Sequence, residues 1–104
     1  MALIIKEFNQ YIISYYTPIS SPIVATILCL SNNSLRGTIT FYEEGQSLND
    51  SVIGNTIKLE YHEKHFDRIL DILRNEKPLY LRYFEENDRG WLITAKEDVG
   101  EEEN

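Results

Sequence analysis

Residues 65–84, HFDRILDILRNEKPLYLRYF, change period in mid-segment, and that change constrains the fold more than any other feature of the chain. Phe66, Ile69, Leu70 and Leu73 fall at i, i+3, i+4 and i+7, one stripe of an α-helix. Asp67 in the first turn and Arg74 and Lys77 near the end suit the helix dipole. Pro78 biases Lys77 out of the helical region, so the helix is expected over about 63–76. So short a helix is not stable alone, and its stripe must pack on something. From Leu79 the period is two: Leu79, Leu81 and Tyr83 face the helix side, and Tyr80, Arg82 and Phe84 face away.

The rest of the chain reads as strand. Leu3 to Tyr16 is rich in isoleucine and tyrosine, with a bulge or a break expected at Asn9–Gln10. Pro18 and Pro22 stop that ladder. IVATILCL is short and apolar and is expected as a strand buried on both faces. SNNS is turn chemistry, and LRGTITFY alternates cleanly, so the two runs predict an antiparallel hairpin. Residues 43–55 are polar with two glycines and read as a loop, with Val52 and Ile53 tucked against the core. TIKLEY is a strand with Ile57, Leu59 and Tyr61 inward; EENDRG is a hairpin loop and WLITA its return strand.

The predicted order is β-β-β-β-α-β-β, an α+β domain with a mainly antiparallel sheet, either curved and open or closed into a small OB-like barrel. With 104 residues, 42% of them hydrophobic, one packed domain is expected over 1–97, followed by an acidic, frayed tail over 98–104. A net charge of −7 disfavours nucleic acid and anionic membrane surfaces as partners. The apolar runs are too short to span a bilayer and the start does not read as a secretory signal, so a cytoplasmic protein is expected.

No motif carries chemistry. His62 and His65 stand at i, i+3 on a strand-to-helix junction, whereas the zinc-binding pattern needs i, i+4 on one helix face. Cys29, between two leucines, reads as a buried, inert thiol. Glu43, Glu44 and Asp50 could pair as catalytic carboxylates, but acids in such places are usually solvated. No glycine-rich phosphate loop or nucleophile elbow occurs, so neither a metal nor a cofactor is expected.

The remaining candidate is a sheet face. Arg36, Thr38, Thr40, Tyr42, Lys58, Glu60, Tyr80, Arg82 and Phe84 all point away from the helix, and they form one surface if their strands share a sheet. Tyrosine, phenylalanine and arginine are the types enriched where proteins meet. The leading expectation is a non-enzymatic binding module that self-associates, as a homodimer, or docks a protein through this face. Glu60 and Tyr42 are the expected partners of the arginines across it. The alternative is a protein for a nucleotide or other small anion held by Arg36 and Arg82, and an unrecognised hydrolase comes third.

DILRNEKPLYLRYF and the closing DVGEEE resemble a group of small bacterial proteins of unknown function, which carry an LLRNEKPVYL-like segment and a PVGEGE-like tail. Asp98 stands where that group has proline, and Glu102 where it has glycine. The resemblance implies a soluble bacterial domain with a helix–strand pair at this place, and no activity.

Overall fold

Asn32 and Asn33 both take positive φ, 52° and 65°, and form the two-residue turn whose twist matches a right-handed hairpin. They join β3 (Ile23–Ser31) to β4 (Ser34–Tyr42), the antiparallel pair that SNNS predicts. The computed structural model describes residues 3–16 and 21–94. Pro18 and the tail over 98–104 lie outside the described residues. The first strand breaks at Asn9 into β1 (Leu3–Phe8) and β2 (Gln10–Tyr15). Then come β5 (Ser51–Ile53), β6 (Thr56–His62), a single 3₁₀ turn (Glu63–His65), α1 (Phe66–Asn75), β7 (Leu79–Phe84) and β8 (Arg89–Thr94).

The strands make two sheets, one ordered β1-β7-β8 and the other β2-β3-β4-β6-β5. The class is α+β, mainly antiparallel with one helix, and the sheets do not close into a barrel. One pairing departs from the antiparallel pattern: β4 and β6 run parallel. The segment between them makes that crossover. It contains β5, which pairs antiparallel with β6 from the far side. Ile53 is therefore not tucked in but 66% exposed, while Val52 packs on the core.

The sheets pack through their inner faces. A Cβ on Gly37 of β4 would collide with the Ile57 carbonyl and with Leu81 of β7. A Cβ on Gly90 of β8 would collide with Leu59 of β6. These two glycines make room for the leucine side chains of the opposite sheet, and Ile39, Phe41, Ile57, Leu59 and Leu81 are fully buried between the layers. Asp50 ties the layers at one edge: its Oδ1 accepts the Glu60 N–H and its Oδ2 the Gly90 N–H, each at 2.9 Å.

The helix closes the remaining core. Ile69 and Leu73 are buried, and Phe66 meets Phe41 edge to face with centroids 5.0 Å apart. Leu70 is half-buried against the same cluster. α1 ends at Asn75, before the Lys77–Pro78 bond, which is cis. β3 corrects the expectation of burial on both faces: Ala25, Ile27 and Cys29 are buried, but Thr26, Leu28 and Leu30 behind them are half-open, because no layer covers that side among the described residues. No helix among them is long and apolar enough to cross a membrane.

Candidate functional site

The expected surface divides in two. Arg36, Thr38, Thr40, Tyr42, Lys58 and Glu60 belong to β4 and β6 of the five-stranded sheet, and Tyr80, Arg82 and Phe84 to β7 of the three-stranded sheet. Gly37 faces Leu81 across the core, so their strand neighbours Arg36 and Arg82 point out of opposite sides of the molecule. They cannot grip one small anion together.

On the five-stranded sheet Tyr42, Lys58 and Glu60 satisfy one another. Glu60 Oε2 accepts the Tyr42 hydroxyl at 3.0 Å and lies 3.3 Å from Lys58 Nζ, while its Oε1 accepts the Asn49 N–H at 2.7 Å. Burial, then the hydrogen bond to Glu60, raises the Tyr42 phenol above its ordinary value. Burial pulls Lys58 down, but Glu60 and Tyr42 outweigh it and hold the ammonium above its usual range. Thr40 is buried between its neighbours on this face. Glu60 and Tyr42 are thus engaged with each other rather than offered to an arginine, and cross-strand pairing accounts for most of this face. Arg36 is half-buried, and its Nε is buried with no hydrogen bond.

The outer face of the three-stranded sheet is different. Strand register arranges it as three rows: Leu3, Phe84 and Arg89; Ile5, Arg82 and Trp91; Glu7, Tyr80 and Ile93. Arg82 is the centre. Its guanidinium carbon lies 5.6 Å from the Trp91 ring centroid, a cation–π distance, and Phe84 meets Trp91 edge-on at 6.3 Å. Leu3 and Ile5 are 44% and 50% exposed, and the three aromatic rings are half-buried. The Arg82 Nε is buried without a hydrogen bond. In a chain of net charge −7, two arginines and one glutamate leave this face weakly cationic. The contributions of β1 and β8 went unread in the sequence. Alternation in LIIKEF and WLIT carries them, but only the pairing shows that these strands flank β7.

The other candidates resolve into structure. His62 Nε2 lies 2.8 Å from the Gln46 carbonyl and His65 packs on the Tyr61 ring at 6.3 Å. No group of three or more metal-ligating side chains occurs among the described residues. Glu43 and Glu44 are exposed, with Lys64 3.9 Å from Glu44, while Asp50 is spent on two backbone N–H groups. A polar cleft of about 430 Å³ beside it holds Asp50, Glu60 and Asp88, all three hydrogen-bonded within the fold. Cys29 is wholly buried, which pushes its thiol up to about 12. A second cleft, about 490 Å³, opens where Asn9 breaks the strands and the helix ends. Phe8, Tyr11, Leu73 and Leu79 line it together with Glu7, Arg74, Glu76 and Lys77. No sequence pattern marks it, because it arises from how three elements end.

No protein-family model, curated protein or solved structure matches the chain.

Proposed function

We propose that this protein is a non-enzymatic interaction module that docks a protein partner on the outer face of its three-stranded sheet. The observation that carries the reading is Arg82. It stands at the centre of a patch of rings and aliphatic side chains, stacked on Trp91, with a buried Nε that makes no hydrogen bond. Burial of the Nε beside the Trp91 ring holds the guanidinium in place, so its outer N–H groups are pre-oriented for an acceptor delivered by a partner. The partner that fits is a segment with apolar side chains for Leu3, Ile5 and Phe84 and a carboxylate for the guanidinium, the strongest hydrogen-bonding match for arginine. Rings and arginine at the centre of a patch are also the side chains that dominate binding energy at interfaces.

Trp91 is the sole tryptophan, so its emission reports on this face alone. Short apolar peptides with a central aspartate should shift that emission at lower concentration than their asparagine twins. Arg82→Gln should remove the preference while leaving the fold intact. Equal response to both peptides, or a preference that survives Arg82→Gln, would count against the reading.

A further inference from the structure

Each sheet has two edge strands among the described residues: β1 and β8 in one, β2 and β5 in the other. A free edge is a template for another chain, and proteins blunt edges with charge, brevity or bulges. β1 carries Lys6 and Glu7, β5 is three residues long, and β8 begins at Arg89. β2, QYIISY, has six residues and none of these devices. It lies in an unusual stretch: from Phe8 to Leu35 the chain holds no aspartate, glutamate, lysine, arginine or histidine. Of the nine exposed large hydrophobic residues described, four (Ile12, Ile13, Tyr15 and Tyr16) sit in or next to β2.

From this edge we infer that a second copy of the chain pairs with β2 about a two-fold axis, joining the two five-stranded sheets into one. Charge argues for a second copy. Two chains of net charge −7 repel wherever their carboxylates approach, and β2 and its neighbour β3 bring no charged side chain of their own to the contact. Backbone parity sets the register. The Tyr16 N–H reaches the Val24 carbonyl at 2.8 Å, so Tyr16, Ser14 and Ile12 direct their backbone groups to β3. Tyr11, Ile13 and Tyr15 therefore present three N–H and three C=O groups outward. Antiparallel pairing centred on Ile13 matches these groups with their own copies: Ile13 opposite Ile13 of the second chain, and Tyr11 opposite Tyr15. Self-matching of this kind is what an isologous interface requires. The tyrosine pairs would stand beside the cleft that Tyr11 lines with Phe8, Leu73 and Leu79.

Light scattering at tens of micromolar should give twice the 12.2 kDa chain mass. Ile13→Lys should bring it to the single-chain mass with an unchanged circular dichroism spectrum. Ile13→Pro should act likewise, since the N–H it removes faces away from β3. Ile13→Cys should form a disulfide-linked dimer on oxidation, because Cα atoms facing across such a pair lie about 5.5 Å apart, within disulfide reach. Ile12→Cys should not, and Cys29 is too buried to contribute. Arg82→Glu should leave the doubled mass unchanged, which separates this edge from the docking face. A wild type at the single-chain mass overturns the inference and leaves an extended peptide of another protein as the edge's occupant. A dimer that survives Ile13→Lys, or that fails to oxidise through Ile13→Cys, overturns it as well.

Discussion

Single atoms decide where the two sheets meet. Alternation put Gly37 in the inner row of its strand, but a sequence treats glycine there as a gap. The packing shows it as a contact that only hydrogen fills, with the Ile57 carbonyl and Leu81 behind it. Gly37→Ala is expected to lose about 1–3 kcal/mol of unfolding free energy in denaturant melts, because a backbone carbonyl cannot step aside. Asp50 was legible only as a loop acid, since its donors lie 10 and 40 residues away along the chain. Tyr83 carries the clearest pH signature. Its hydroxyl donates to Asp88 at 2.8 Å, and that bond, with burial second, raises the phenol to about 12. A tyrosine whose folded value lies above its unfolded value of about 10 stabilises the fold fully below pH 10, and that contribution is lost as pH climbs towards 12. Unfolding free energy should therefore fall over this window, less steeply in Tyr83→Phe. Some slope should remain, because Tyr42 and Tyr61 are raised as well. A slope unaltered by the substitution would mean that the Asp88 bond does not hold in solution.

Elements were legible in proportion to how local their signals are. The helix stripe, the Asn32–Asn33 hairpin and the break at Asn9 each rest on a few adjacent residues, and each stands where the pattern put it. The parallel pairing of β4 with β6 was not legible, because the polar crossover between them is compatible with either direction. β5 was missed for a related reason: three residues hold too little alternation to rise above a loop. The helix stripe is also uneven in depth. Ile69 and Leu73 are about 5% exposed, whereas Phe66 and Leu70 lie at the margin. Leu73→Ala should cost about 2–5 kcal/mol and Leu70→Ala distinctly less, as read from paired denaturant melts. Equal losses would indicate that the helix sits rotated from this placement.

At the scale of the molecule, the two outer sheet faces have different chemistry. One is closed on itself through Glu60, Tyr42 and Lys58. The other gathers Leu3, Ile5, Phe84 and Trp91 around Arg82, whose guanidinium lies over the Trp91 ring. The sequence named Tyr80, Arg82 and Phe84 for the second face correctly as outward residues. It merged them with Arg36, Thr38, Tyr42 and Lys58, because strand alternation gives inward and outward but not which sheet a strand joins. A chain paired along β2 would carry two docking faces per dimer and would hold a bivalent partner far more tightly than a single face can. The central claim is that binding belongs to the three-stranded sheet. The most direct measurement is a photo-crosslinking scan over both outer faces in the protein's own cells, with Ile5, Phe84 and Ile93 replaced on one and Ser14, Thr38 and Lys58 on the other. Crosslinks to one partner protein should arise at the first three positions, vanish with Arg82→Glu, and be absent at the second three. Crosslinks centred on Thr38 and Lys58, or running only within the chain itself, would contradict the claim.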